Sequence, residues 1–172
     1  PRGMSSSIAG FAASTATYEG VSRPLFTRGA GPAVLIAHEM PGITPEVAAF
    51  ARRVADAGYF VAMPELFGTT NKPLSSGYIV KSLVQGCIRR EFRAFSRHQS
   101  SPVTDWLRGL ARDLHAEHGG PGVGFVGMCF TGNFALAMMA EPAILAPVLS
   151  QPSMPVVLSP SHARALQISP EG

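Results

Sequence analysis

Residues 123–140 pass from an apolar strand-like run into an apolar helix-like run through one short turn flanked by glycines. Val123 to Val126 has the length and character of a buried strand, and a helix is predicted from about Phe130 to Ala140. The turn reads G-M-C-F-T-G, so that Cys129 stands where the strand becomes the helix. A direct strand-to-helix turn of this kind is typical of α/β sheet proteins, and it projects the side chain at the turn above the sheet.

A strand, a helix and a second strand precede that turn. Ala33 to Ala37 (AVLIA) is a short, continuous apolar run, as expected for a strand that is buried on both faces. Thr44 is predicted to cap a helix that begins at Pro45 and is ended by Gly58. Tyr59 to Met63 is the next predicted strand. The order strand, helix, strand indicates a parallel sheet.

The rest of the chain extends this pattern. A second helix is predicted to begin at Ser101-Pro102. Its apolar face is formed by Val103, Trp106, Leu107, Leu110 and Leu114. Ile144 to Leu149 is predicted to be a further strand, and Tyr78 to Phe95 carries a weaker helical pattern. We therefore expect one α/β domain over residues 1–172, with a mostly parallel sheet, helices on both of its faces and a disordered segment at residues 1–7.

Composition excludes several classes of function. The 172 residues are 46% hydrophobic and 15% charged, which is typical of a domain with a real core. No apolar run approaches the roughly 20 residues of a membrane helix, and the net charge of +3 is too mild to indicate nucleic-acid binding. The two cysteines, Cys87 and Cys129, have neither zinc-ligand nor disulfide spacing. We expect a cytoplasmic protein with no metal, cofactor, membrane or nucleic-acid partner.

Cys129 is the candidate nucleophile. A helix N-terminus places free N–H groups and the positive end of the helix dipole beside such a residue, which favours the thiolate that attacks a carbonyl carbon. The backbone N–H of Phe130, one residue later, is placed to bind the developing oxyanion. The alternative is that Cys129 is a buried hydrophobic residue, the interpretation that we favour for Cys87, which lacks a comparable context.

Motifs in three places resemble the dienelactone hydrolase family. They are AHEMPG after the first clear strand, GYFVAMPELFG at the second and VGFVGMCFTG at the turn. The resemblance spans approximately Ala33 to Gln151, and it implies an α/β-hydrolase fold and a thiol-dependent activity that opens lactone rings or cleaves related esters. The family's usual turn reads G-x-C-x-G-G. Thr131 stands in place of the first of the paired glycines, and Gly132 matches the second.

The same resemblance assigns roles to other residues. It implies that Glu39 interacts with the cysteine and takes part in forming the thiolate, and that Met40 supplies the second N–H of the oxyanion hole. It also implies that an arginine holds a carboxylate of the substrate. Arg90 is the better placed candidate and Arg89 the competing one. His38 is expected to be structural, because strand alternation turns it away from Glu39.

The other two members of a catalytic triad are harder to place. In this fold the acid and the histidine follow the nucleophile in chain order. After Cys129 the sequence contains Glu141, Glu171 and His162, and none of them has the setting that the family pattern predicts. His115 and His118 precede the turn, on a helix expected toward the opposite edge of the sheet. We therefore expect a fragment that lacks the last strands and helices of the fold and the rest of the triad.

Two functional hypotheses follow. The first is a cysteine-dependent hydrolase of small, carboxylate-bearing lactones or esters. The second is a non-catalytic, truncated protein that acts through a partner which completes its sheet. A flavodoxin-like module is disfavoured, because no G-x-G-x-x-G or P-loop motif follows the first strand.

Overall fold

A single mixed sheet organises the chain. The computed structural model describes residues 7–39, 42–67 and 102–151. The strands are β1 (Ala12–Tyr18), β2 (Val21–Arg28), β3 (Ala33–Ala37), β4 (Phe60–Pro64), β5 (Val123–Met128) and β6 (Ile144–Ser150), and the helices are α1 (Pro45–Asp56), α2 (Pro102–His118) and α3 (Gly132–Met138). A 3₁₀ turn, Cys129–Thr131, joins β5 to α3.

The strand order places β3 and β5 side by side. The sheet runs β1-β2-β4-β3-β5-β6, with β1, β2 and β4 paired antiparallel and β4, β3, β5 and β6 paired parallel. The predicted parallel sheet is therefore confirmed. Since the carboxyl ends of parallel strands share one edge, the segments that follow β3, β4 and β5 meet there.

The bounds of the parallel strands agree closely with those predicted from the sequence. β3 has the predicted bounds, and β4, β5 and β6 differ from the predicted strands by one or two residues at their ends. Thr44 caps α1 as predicted, since its side-chain hydroxyl accepts the N–H of Val47 at 3.3 Å. Helix α1 ends at Asp56, and Gly58 follows with φ +93°. The helical prediction for Tyr78 to Phe95 lies outside the described residues, as do residues 1–6 of the segment predicted to be disordered.

Helices cover both faces of the sheet. On one face, Val47, Ala48 and Ala51 of α1 pack in a cluster with Ile36 and Val61. On the other face, α2 and α3 pack against β3 and β5 in a second cluster that includes Trp106, Leu107, Leu110, Phe134, Met138, Leu35 and Phe125. All five apolar residues predicted to share a face of α2 are buried. The predicted architecture is thus confirmed for the part of the chain that is described.

The β1–β2 hairpin was not predicted. Its two-residue turn consists of Glu19 and Gly20, which have φ +50° and +72°, and Tyr18 pairs with Val21 across it. Such turns usually carry Asn or Asp before the glycine, so Glu19 hides the signal. Pro24 weakens the strand signal further, since proline is disfavoured inside strands, although β2 continues through it.

Candidate active site

The ends of β3 and β5 form the framework of the site. The two strands are parallel neighbours, and Ala37 is in register with Gly127. Glu39 lies two residues beyond Ala37, and Cys129 lies two residues beyond Gly127. The fold therefore brings the two segments that carry these residues to the same edge of the sheet.

Cys129 occupies a strained turn. Its φ is +53°, in the left-handed region that residues with a side chain seldom adopt. Met128 before it is extended, with φ −115° and ψ 134°, and a helical turn begins with Cys129 itself. The thiol is free and partly exposed. This geometry lifts the cysteine out of the sheet and leaves it accessible, which a buried packing residue does not need.

Gly127 makes the sharpness of the turn possible. A Cβ at this position would collide with the backbone carbonyl of Thr131, and it would lie 3.0 Å from the Cα of Gly132. A glycine two residues before the cysteine therefore allows the chain to double back on the strand that it has just left. The motif thus has a steric reason that is visible in the structure.

The side chain of Thr131 ties the turn to β3. Its hydroxyl donates to the carbonyl of Ala37 at 2.7 Å and accepts the backbone N–H of Met128 at 2.9 Å. The Met128 carbonyl is a second possible acceptor, also at 2.9 Å. Thr131 is completely buried. Thr131 departs from the glycine pattern, and the role of its hydroxyl group was not predicted from the sequence.

Glu39 is partly buried beside a second carboxylate. Burial raises the pKa of Glu39 above its ordinary value, and repulsion from Glu46 in the first turn of α1 raises it further. A carboxylate with a raised pKa is a better proton acceptor than an ordinary surface glutamate.

His38 supports the loop that carries Glu39. Its side chain is fully buried, with Nδ1 2.8 Å from the Glu39 carbonyl and Nε2 2.9 Å from the Leu66 N–H. Because Nε2 must accept from Leu66, the ring is neutral and Nδ1 donates to Glu39. Burial, with a smaller contribution from the charge of Arg23, lowers the pKa of His38 to about 4. His38 is therefore a structural link between the loops after β3 and β4.

Arg23 holds the same loop from the other side. Its guanidinium donates to the Leu66 carbonyl at 2.9 Å and lies 5.6 Å from the ring centroid of Trp106. The backbone of Leu66 is thus held at its N–H by His38 and at its carbonyl by Arg23. This buried arginine had no signal in the sequence analysis, because β2 itself was not predicted.

Comparison with known proteins identifies the family. The model of the dienelactone hydrolase family matches residues 23–168 of this chain. The chain belongs to the dienelactone hydrolase family. The match takes in the strand ends, the turn at Cys129 and the Leu66 loop, and it confirms the resemblance found in the motifs. No curated protein sequence matches the chain significantly.

Solved structures show the same fold at low sequence identity. A candidate dienelactone hydrolase from Klebsiella pneumoniae subsp. pneumoniae MGH 78578 is 20% identical, with a TM-score of 0.60 over 88% of this chain and 64% of that protein. The thioesterase domain from the curacin biosynthetic pathway is 18% identical, with a TM-score of 0.54 over 87% of this chain and 47% of that one. An epoxide hydrolase from Vigna radiata is 18% identical, with a TM-score of 0.50 over 80% and 37%. The fold is therefore that of the α/β-hydrolases, and this chain spans less than two thirds of the length of these relatives.

Of the other residues predicted to belong to the active site, some lie within the described ranges and some lie outside them. The backbone of Phe130 lies in the 3₁₀ turn directly after Cys129, as the oxyanion-hole prediction requires. Met40 and Arg90 lie outside the described residues, as do Arg89, Cys87, His162 and Glu171. Their predicted roles remain predictions.

The other ionisable candidates have structural partners. Glu141 is buried, accepts from Arg112 at 3.1 Å and accepts the N–H of Ala143 at 3.3 Å. At the far end of α2, His115 lies 3.1 Å from the Gly120 carbonyl, and His118 stacks on Phe60 at 3.8 Å. None of these three residues follows β3 or β5 at the edge that carries Cys129.

Within the described ranges, no group of three or more His, Cys, Asp or Glu side chains is placed to hold a metal ion. No helix in the part of the chain that the structure describes has the length and apolar content needed to cross a membrane.

Proposed function

We propose that this protein is a cysteine-dependent hydrolase of small lactones or esters, with Cys129 as the nucleophile. The observation that carries the proposal is the left-handed conformation of a partly exposed Cys129 at the end of β5. Strain of this kind costs stability and is common at functional sites, and here it falls on a partly exposed thiol. Membership of the dienelactone hydrolase family supports the same chemistry.

Glu39 is the proposed proton acceptor for the thiol. It follows β3 at the edge where Cys129 follows β5, and its raised pKa suits it to take a proton from sulfur. When a substrate binds, the Cys129 thiol transfers its proton to Glu39 and becomes the attacking thiolate. The buried ring of His38 supports this step by donating to the Glu39 carbonyl.

The bond changes of the proposed reaction are those of acyl transfer. The thiolate attacks the carbonyl carbon, a C–S bond forms, and the carbonyl electron pair moves onto oxygen. The N–H groups of Phe130 and Met40 are the proposed donors to that oxyanion. Collapse of the intermediate breaks the C–O bond and leaves a thioester on Cys129, while the released alkoxide takes up the proton that Glu39 accepted from the thiol. Water then attacks the thioester and the C–S bond breaks, which gives a carboxylate and the thiol of Cys129 and releases one proton to solvent.

Arg90 is the proposed anchor for a carboxylate on the substrate, with Arg89 as the alternative. An arginine can bind a carboxylate through two parallel hydrogen bonds and so fix the orientation of the reacting carbonyl. This assignment rests on the family resemblance. It makes small, carboxylate-bearing lactones and esters the proposed substrate class, acted on in the cytoplasm, where the thiol stays reduced.

Complete turnover requires an acid and a histidine that follow the nucleophile. Among the described residues after Cys129, the one carboxylate is that of Glu141, which is paired with Arg112, and there is no histidine. We therefore propose that the described part of the chain performs thiol acylation. Rapid hydrolysis of the thioester depends on groups beyond residue 151 or in a longer protein.

The test is acylation of the purified chain by p-nitrophenyl acetate. We expect a burst of p-nitrophenol and an acetyl group on Cys129, located by peptide mass spectrometry. Cys129→Ala should abolish both, whereas Cys87→Ala, which removes the other thiol, should retain them. Acylation that is equal in Cys129→Ala and in the unaltered protein would refute the assignment.

A non-catalytic role through a partner is the second candidate. β6 is the outermost of the described strands on its side of the sheet, and its Leu145, Val148 and Leu149 side chains are 59%, 49% and 37% exposed. Apolar side chains on an edge strand favour pairing with further polypeptide. Failure of the acylation test, together with a dimer in analytical ultracentrifugation, would favour this candidate.

A further inference from the structure

We infer that Thr131 is a positioning residue that holds Cys129 and the Glu39 loop in mutual register through its hydroxyl group. The inference rests on the proposed role of Cys129 as the nucleophile. Its observations are independent of that role, since they concern hydrogen bonds between the turn and β3.

Strands β3 and β5 separate where β5 turns into the helix. The last residues paired between β3 and β5 are Ala37 and Gly127. One residue further on, the Met128 N–H donates to the Thr131 hydroxyl at 2.9 Å, and that hydroxyl donates to the Ala37 carbonyl at 2.7 Å. The hydroxyl therefore relays a hydrogen bond from β5 to β3 at the point where β5 turns into the helix.

The two ends of the relay lie next to the segments that carry Cys129 and Glu39. Met128 is bonded directly to Cys129, and Ala37 leads through His38 to Glu39. The Thr131 hydroxyl thus connects the backbone next to the proposed nucleophile with the strand end that leads to the proposed proton acceptor. A rigid connection at this point fixes the distance over which the proton must pass.

The burial of Thr131 is a further observation in favour of the positioning role. Thr131 is completely buried, so the two backbone groups that its side chain joins depend on protein partners. Glycine, which the family's usual turn has here, carries no side chain and cannot make the relay. The absence of a Cβ at Gly127 leaves room for the backbone carbonyl of Thr131, so the turn stays close to β5 where the relay forms.

Thr131→Val is the main test, because valine keeps the branched shape and removes the hydroxyl. We expect it to slow both alkylation of Cys129 by iodoacetamide and its acylation by p-nitrophenyl acetate, each by about tenfold or more. Peptide mass spectrometry separates Cys129 from Cys87, and rates are compared well below the melting temperature of every variant. Amide hydrogen exchange at Met128 should accelerate in the same variant, which reports the relay directly.

Thr131→Ser and Thr131→Ala form a second pair that differ by the hydroxyl alone. We expect serine to restore alkylation to within about threefold of the unaltered protein and alanine to remain as slow as valine. The inference is overturned if valine and alanine leave the rates unchanged, or if serine is as slow as alanine. It is also overturned if both variants without the hydroxyl fail to fold while serine folds, since the hydroxyl then serves the fold alone.

The two proposals fail in different ways. If the unaltered protein is not acylated by the ester but its alkylation still depends on the hydroxyl, the hydrolase proposal fails and the positioning role stands. If acylation depends on Cys129 but is indifferent to the hydroxyl, the positioning role fails and the hydrolase proposal stands.

Discussion

At the scale of single residues, the left-handed backbone conformation of Cys129 is the feature most closely connected with the proposed function. Its φ of +53° is unfavourable for any residue with a Cβ. Glycine adopts this conformation without the steric penalty, so a cysteine here costs more local stability than a glycine would. The cysteine is therefore retained at the expense of local stability, as is common at reactive positions.

This strain predicts an unusual order of stabilities. Cys129→Gly should be more stable than Cys129→Ala by about 1 kcal/mol, because glycine adopts the left-handed conformation without a steric penalty. Elsewhere in a helix or strand the same comparison favours alanine. Urea denaturation of both variants measures the difference. A more stable alanine variant would show that the turn is not left-handed in solution.

A second prediction concerns the charge near Glu39. Glu46→Gln removes the carboxylate that repels Glu39, so the pKa of Glu39 should fall while remaining above its ordinary value, because burial persists. The acid limb of the pH profile for Cys129 acylation should move to lower pH. Titration of the Glu39 carboxyl by carbon-13 NMR measures the shift.

Glu117→Gln makes the same chemical change on the exposed side of α2 and serves as the matched control. It should leave the Glu39 titration where it is. Equal shifts in the two variants would mean that overall charge, and not the position of Glu46, sets the pKa of Glu39.

At the scale of elements, strand β5 and the turn that follows it are in close contact at Gly127. Gly127 and Gly124 both lie in β5 and have no left-handed backbone, but their surroundings differ. An added Cβ at Gly127 meets the backbone of Thr131, whereas at Gly124 it meets the movable side chain of Val34 at 3.3 Å. A methyl group therefore has no space at Gly127, where rigid backbone blocks it. At Gly124 the flexible side chain of Val34 can move to make room for it.

Gly127→Ala should accordingly reduce the free energy of unfolding by about 1–3 kcal/mol, since a backbone collision forces the turn to shift. Gly124→Ala should cost less than about 1 kcal/mol. Cys129 alkylation should slow in the first variant and not in the second. Similar losses of stability in the two variants would contradict the steric role of Gly127.

The elements also show how far the sequence could be interpreted. The turn at Cys129 was predictable because a strand-like run, a flanked cysteine and a helix-like run are all local patterns. The β1–β2 hairpin was not, because Glu19 occupies a left-handed position and Pro24 lies inside β2, where proline is unusual. The Thr131 relay joins residues 94 positions apart, so no local pattern could reveal it.

At the scale of the whole molecule, His38 joins two of the loops that border the site. Its ring links the loop after β3 to the loop after β4, and Arg23 of β2 holds the latter loop through Leu66. Three strands of the sheet are thus connected through the backbone of Leu66, whose N–H donates to the neutral imidazole and whose carbonyl accepts from Arg23. Protonation of Nε2 would place two N–H donors face to face and remove the bond to Leu66.

This arrangement makes the stability of the fold depend on pH in a definite direction. The pKa of His38 is about 4 in the folded protein, against an ordinary value of 6.5. Between these values the unfolded chain binds the proton more readily, so the free energy of unfolding should fall as the pH decreases from about 6.5 to about 4. The contribution of His38 to that loss should reach about 3 kcal/mol. Urea denaturation across this range, in the unaltered protein and in His38→Asn, isolates it. The variant should be less stable at neutral pH but should show a shallower dependence, and an identical slope in both proteins would contradict the buried neutral state of His38.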